Sequence, residues 1–142
     1  MGTFSIQLQV GSPAGNRFET VEAMVDSGAT YTVLPASLLD RLGVVPHATR
    51  HFVLADGSRT GRRFGRTWIR LGGKEDVSPV VFWDEDALPL LGAVTLEIFS
   101  LGIDPVNRRL VPVDAMLVPS LAASRSGFAG AARVPQKNRL YS

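Results

Sequence analysis

The residues best equipped for chemistry lie in one short run, Ala23-Met24-Val25-Asp26-Ser27-Gly28-Ala29-Thr30. An apolar strand delivers a carboxylate, then turns at once on a hydroxyl and a glycine. Gly28 permits a close backbone approach that a bulkier residue would block, and Ala29 keeps the space open. Alone, an Asp-Ser-Gly triplet is the ordinary composition of a turn in which Asp26 caps its own backbone. Other candidate groups are weaker. His47 and His51 have helical metal-ligand spacing, but Pro46 precedes them and no acidic partner lies between. Asp84-Glu85-Asp86 lacks the spacing of a calcium loop and reads as a solvated turn. Gly72-Gly73-Lys74 lacks the phosphate-loop pattern and reads as a hairpin turn. No Gly-x-Ser-x-Gly elbow is present. Trp68 and Trp83 fit a core or an interface better than a ligand platform.

The elements that must position Asp26 are short and extended. Thr3 to Val10 alternates apolar and polar residues like a half-buried strand. After turn chemistry at Ser12-Pro13-Ala14-Gly15-Asn16, Arg17 to Val25 reads as its hairpin partner. Thr30 to Leu34 is β-branched and aromatic, again a strand. Pro35 can open a short helix to Leu42, with Leu38, Leu39 and Leu42 on one face and Gly43 as the stop. Arg50–Ala55 and Ser58–Phe64 flank Asp56-Gly57, a strong hairpin signal. Strands are also expected at Thr67–Leu71, Val77–Trp83 and Arg108–Val113, and a short helix at Val94–Leu101; Leu88 to Leu91 leads to Gly92. Many short strands with one or two short helices imply an all-β protein, a small β-barrel or sandwich.

The run from Asp26 to Leu34 resembles the active-site segment of the retropepsins, the single-domain, retroviral-type aspartic proteases. Three further marks of that family follow in order. Ala55-Asp56-Gly57-Ser58 occupies the place of the flap tip. Leu90-Leu91-Gly92 matches the apolar pair and glycine before the second helix. Leu101 to Pro105 and Leu110 to Pro112 resemble the closing strands of bacterial and cellular members. The resemblance spans about residues 4–114. It implies a small closed, barrel-like acid-protease fold acting as a homodimer, with Asp26 catalytic and Ser27, Gly28 and Ala29 supporting it. It also implies that Ala55, Asp56, Gly57, Ser58, Leu91 and Gly92 form the flap and substrate-binding parts, and that no cofactor or metal is needed. Val33, Val53, Val81 and Leu91 are candidates for the pocket walls. Where retroviral members pair an Asp with an Arg, this chain has Thr30 and Ala93; both charges are absent together, so no buried charge is orphaned.

With one Asp-Ser-Gly per chain, the second carboxylate must come from a second chain across a two-fold axis. Two aspartates sharing one proton can activate water and protonate the leaving group. The rival reading is a catalytically inactive, dimeric peptide-binding module on the same fold. A second rival uses Arg59, Arg62, Arg63 and Arg66 to bind nucleic acid, although these fit better as a solvated face of the flap hairpin.

Composition sets the frame. The 142 residues fit one domain, with 45% apolar and 20% charged residues. With no cysteine there is no disulfide or thiolate site. Neither a signal peptide nor a membrane-spanning run is read, so a soluble, cytoplasmic protein with no membrane or nucleic-acid partner is expected. The net charge is +2, yet all 13 acidic residues lie at or before Asp114. The basic pI of 9.5 therefore owes much to a tail containing Arg125, Arg133, Lys137 and Arg139. Residues 1–117 read as the protease domain and 118–142 as a flexible basic tail, whose stretch around Phe128 is a candidate self-cleavage site or cleft-filling inhibitor.

Overall fold

The computed structural model describes residues 3–114 and 117–118. Most of the tail expected from residue 118, Phe128 included, lies outside the described residues. The chain opens with β1 (Ser5–Gly11) and β2 (Phe18–Val25), antiparallel from Ser5↔Met24 to Gly11↔Phe18. Their alternation places Leu8, Val10, Ala23 and Val25 in the core. The hairpin closes through Ser12, whose amide donates to the Arg17 carbonyl at 2.8 Å. The Ser12 hydroxyl oxygen accepts the amides of Asn16 and Arg17.

Strand β3 (Thr32–Pro35) leads directly into α1 (Ala36–Arg41). Pro35 stands just outside the helix rather than in its first turn, with extended backbone at φ −59° and ψ 136°. The exit is a Schellman motif: Gly43 N–H donates to Asp40 and Val44 N–H to Leu39, with Gly43 at φ +83°. Leu38, Leu39 and Leu42 are buried, as their spacing requires.

Strand β4 (Ala48–Val53) pairs with the first half of β5 (Arg59–Leu71), from Ala48↔Phe64 to Val53↔Arg59. The two strands expected at Ser58–Phe64 and Thr67–Leu71 are one continuous strand of 13 residues. Gly65 is not a break. A β-carbon there would lie 3.3 Å from the Val45 carbonyl and 3.4 Å from the Phe82 ring, so glycine serves close packing inside the strand. Gly72 and Gly73, at φ +62° and +81°, turn the chain into β6 (Lys74–Trp83), which pairs with β5 from Leu71↔Lys74 to Phe64↔Val81.

The short β7 (Leu90–Leu91) inserts between β2 and β3, parallel to the first and antiparallel to the second. Strand β3 in turn runs parallel to β6. After α2 (Ala93–Ile98) come β8 (Leu101–Asp104) and β9 (Arg109–Pro112), a separate two-stranded sheet. The second helix ends earlier than expected, because Ser100 takes φ 53° and Leu101 opens a strand.

The expected closed barrel is not formed. Among the described residues the structure is a mixed sheet of seven strands in the order β1-β2-β7-β3-β6-β5-β4, plus two six-residue helices and the β8–β9 pair. Strand β5 approaches β1 only at Gln9↔Arg70 and Val10↔Ile69. The ladder does not extend into a closed seam. On one side Leu71 ends at the diglycine turn; on the other the Thr67 hydroxyl, rather than a ladder amide, donates to the Gly11 carbonyl. Strand β4 remains an edge.

The core gathers β1, β2, β3, β6, both helices and the end of β5 around Leu34, Leu39, Ile69, Val80 and Leu91, all fully buried. Leu39 joins the short α1 to this core. Leu39→Ala is expected to destabilise the protein by about 2–5 kcal/mol, read from the urea midpoint of the full chain with its denaturant slope unchanged.

Candidate active site

Asp26 sits one residue past the end of β2, and its placement is fixed from both sides. Its amide donates to the Leu91 carbonyl at 3.1 Å, so β7 reaches the residue itself. The chain then reverses: Ala29 N–H donates to the Asp26 carbonyl at 3.1 Å, and Gly28 N–H donates to Asp26 Oδ1 at 2.9 Å. The turn that composition suggests therefore exists. A β-carbon on Gly28 would come 3.1 Å from the same carboxylate oxygen, so any larger residue presses on Asp26. Asp26 and Ala29 are half-buried, while Ser27 and Gly28 are exposed.

The same loop holds the start of α2. A helix begins with amides that have no internal partner, and Gly92, at the cap position, has no side chain to serve them. The loop serves them instead. Ala93 N–H donates to the Ala29 carbonyl at 2.8 Å, and Val94 N–H to the Thr30 carbonyl at 2.9 Å. At Thr30 and Ala93, where the charged pair of retroviral members is missing, main-chain bonds tie the two segments.

Gly92 makes this approach possible. A β-carbon there would fall 2.4 Å from the Tyr31 carbonyl carbon, 2.6 Å from its oxygen and 2.9 Å from the Thr32 nitrogen. All three are backbone atoms and cannot swing aside. Beneath the crossing lies a buried chain of hydroxyls. Gly92 N–H donates to Thr32 Oγ1 at 3.1 Å; Thr32 and Thr95 hydroxyls share a hydrogen bond at 2.5 Å; Thr95 and Ser78 share one at 2.8 Å. Thr32, Ser78 and Thr95 are all fully buried.

In front of the loop lies a groove of about 480 Å³, lined by Gly28, Ala29, Thr30, Tyr31 and Val33 on the loop side. Phe52, Val53 and Leu54 of β4 and its turn, and Val81, Trp83, Leu88 and Leu90 opposite, complete it. Of the four expected wall residues, Val33, Val53 and Val81 line the groove. Leu91 does not: it points into the core, fully buried, and its neighbour Leu90 takes the place. The reason is the period of two in a strand, which sends Leu90 and Leu91 to opposite sides.

The hairpin expected at Ala55-Asp56-Gly57-Ser58 is formed. Gly57, at φ +86°, donates its amide to the Leu54 carbonyl, and Leu54 N–H donates to Ser58. Asp56 Oδ1 accepts from both the hydroxyl (2.6 Å) and the amide (2.9 Å) of Ser58, which holds its carboxyl below the usual aspartate range. All four tip residues are exposed.

Several contributors escaped the sequence reading. Thr32, Ser78 and Thr95 are far apart in sequence and carry no motif. Trp83 forms a wall rather than only core, and His51 also borders the groove. The acidic turn Asp84-Glu85-Asp86 is exposed as expected, but two of its members work. Asp84 pairs with Arg62 at 2.7 Å. Glu85 accepts the Ser37 amide at 2.9 Å and the Ser37 hydroxyl, capping α1 from outside. Arg59, Arg63 and Arg66 are exposed and Arg62 is half-buried; Arg62 and Arg63 lie over the rings of Trp83 and Phe82 at 4.0 and 4.5 Å.

Two outcomes follow for this region. Thr95→Val keeps the volume but strips the central hydroxyl from a buried chain. A loss of about 1–3 kcal/mol is expected, read by chemical denaturation; an unchanged midpoint would show that the chain carries no weight. Glu85 has its carboxyl lowered by the Ser37 hydroxyl first and the Ser37 amide second. A lowered folded pKa contributes stability above the unfolded value and loses it as pH falls through the folded one. The stability difference between the protein and Glu85→Gln is therefore expected to be full at neutral pH and to vanish below the usual glutamate range. Thermal melts across that range measure it.

Residues 8–104, more than half of the chain, match the aspartyl protease family. The solution structure of simian foamy virus (mac) protease is similar over 68% of this chain and 94% of its own, at 19% identity and a TM-score of 0.49. No curated protein sequence matches the chain. The chain belongs to the retropepsin-like aspartyl protease family.

Proposed function

We propose that the protein is an aspartic endopeptidase, with Asp26 as the one catalytic residue each chain supplies. The observation that carries this reading is the placement of Asp26. A half-buried carboxylate stands on a loop bonded to β7 and α2, and the residues that follow it, Gly28 to Thr30, line an apolar groove.

One carboxylate cannot be both acid and base in a single step. A homodimer with Asp26 meeting Asp26 across a two-fold axis supplies the pair. Two carboxylates in contact hold one proton between them, because both cannot ionise together. The ionised member takes a proton from water, while the protonated member donates to the substrate carbonyl oxygen. Attack of the water oxygen on the carbonyl carbon gives a tetrahedral intermediate. A proton then passes to the amide nitrogen and the C–N bond breaks. Ser27, exposed beside the carboxylate, would bond across the axis. The Gly28 carbonyl would accept from the substrate backbone. The hairpin tip, Ala55 to Ser58, would close over an extended peptide as an added strand and exclude water.

The substrate is accordingly a peptide or unfolded protein, with no cofactor. We place this activity in a domain spanning residues 1–117, and the cysteine-free composition suits a reducing compartment such as the cytoplasm.

The test compares wild type with Asp26→Asn on an unfolded protein substrate across pH. Cleavage is expected to fall by about 10²–10⁴-fold in a variant that stays folded and dimeric. Wild-type activity per chain should also drop on dilution as the dimer dissociates. Equal cleavage by both proteins would remove Asp26 from the chemistry. A well-folded dimer that binds peptide and never cleaves it would instead support the peptide-binding module.

A further inference from the structure

The β4–β5 hairpin contains an arrangement that sheet pairing alone disfavours. Arg50 and Arg62 are direct register partners across the two strands, so their side chains leave the same face. Like charges opposite one another destabilise an antiparallel pair. A second cost lies at Arg62, whose Nε is buried without a hydrogen-bond partner among the described residues.

What the two arginines touch accounts for their presence. The Arg50 guanidinium carbon lies 4.1 Å from the Phe64 ring centroid and 5.9 Å from that of Tyr31, and its Nη1 donates to Tyr31 Oη at 3.1 Å. Tyr31 also meets Phe64 and Phe52 edge to face, at 5.0 and 6.1 Å. The Arg62 guanidinium carbon lies 4.0 Å from the Trp83 ring, and its two terminal nitrogens donate to the two Asp84 oxygens at 2.7 and 3.2 Å. Tyr31 and Trp83 both line the groove, Tyr31 beside the Asp26 loop and Trp83 at the end of β6. One arginine pair thus links a single hairpin to both aromatic walls.

We propose that Arg50 and Arg62 are positioning residues that clip the β4–β5 hairpin to the Tyr31 and Trp83 walls and so set the height and shape of the groove for an extended peptide. The inference rests on the reading of this groove as a peptide cleft. Planarity is essential to it. A guanidinium can stack on a ring and form a fork to a hydroxyl or carboxylate at once, whereas a lysine ammonium offers a point charge. Arginine-to-lysine exchange therefore separates the clip from the charge.

The experiment uses the full chain with Asp26→Asn, so that no probe is consumed. Fluorescence anisotropy follows a labelled, extended apolar peptide whose central amide is reduced. Arg50→Lys and Arg62→Lys are each expected to weaken binding about three- to tenfold, at an unchanged melting temperature and equally at low and high salt. Tyr31→Phe should reproduce part of the Arg50→Lys loss and add little to it, since both break the same link. In the active protein the lysine variants should raise KM and leave kcat close to its original value. Affinity unchanged in both lysine variants would overturn the proposal, as would losses that track only the fraction unfolded, or absence of peptide binding in the parent. Peptide binding that responds to the lysine exchanges in a protein whose wild type never cleaves would sink the protease reading and leave this one standing.

Discussion

The backbone crossing at Gly92 is the constraint on which the rest of the candidate site depends. Two chain segments pass within a distance that no side chain tolerates, with the virtual β-carbon of Gly92 inside contact of Tyr31 and Thr32 main-chain atoms. Once they are that close, every other bond follows with little freedom. The first two amides of α2 meet the Ala29 and Thr30 carbonyls, and the Asp26 amide meets Leu91. The Asp26 carboxylate is thus located by main-chain geometry, with no charged side chain needed to hold it. Two anchors on opposite sides, β7 and α2, restrain the turn that carries the carboxylate.

The hydroxyl chain beneath the crossing shows the cost of such an arrangement and its remedy. Interrupting a sheet with a two-residue strand leaves backbone groups in the interior that the ladder cannot serve. The Gly92 amide is one, and Thr32 Oγ1 accepts it. Thr32, Thr95 and Ser78 then bond in a chain whose last hydroxyl donates to the Pro79 carbonyl at 3.2 Å, because a hydroxyl both donates and accepts. Threonine also fits these positions sterically: Thr32 is β-branched in a strand, and Thr95 lies in a short helix whose stability comes from packing rather than propensity. A fully satisfied polar network of this kind fixes one arrangement of the surrounding core more sharply than apolar residues would.

Much of this was legible in the sequence, for identifiable reasons. The β1–β2 hairpin and the strand into Asp26 declare themselves by alternation. The β4–β5 turn shows in Asp56-Gly57, and the end of α1 in Gly43. These are local signals read over a few residues. Gly92 was visible only because Leu90-Leu91 stood before it in the order that the resemblance requires. Closure of the sheet could not be read, because it depends on whether β1 and β5 pair over more than Gln9–Val10, a long-range matter of where Gly72-Gly73 and Thr67 end the contact. Gly65 illustrates the opposite failure. Separate strands are expected on either side of it, yet it lies inside one strand, packed close to Val45 and Phe82. The face choice at Leu90 and Leu91 shows how a one-residue difference in a strand exchanges wall for core.

The division of labour between floor and roof is the last consequence of this architecture. The floor, from Asp26 through Thr30, is held by main-chain bonds to β7 and α2, with the buried hydroxyls of Thr32, Ser78 and Thr95 beneath it. The roof is an edge hairpin. Among the described residues β4 pairs only with β5, and its tip residues are exposed; beyond the point where β5 leaves its ladder with β6, the hairpin is fastened to the body by side chains: Arg63 to Asp40, Arg62 to Trp83 and Asp84, Arg50 to Tyr31. Exposed ion pairs and cation–π contacts are each worth little, on the order of 1 kcal/mol. Several together hold a hairpin in place, but each can be exchanged without unfolding the sheet below. The peptide cleft proposed above must admit a chain and then cover it. A floor anchored by main-chain bonds under a hairpin partly fastened by side chains suits that proposal, because the two halves draw on interactions of different strength.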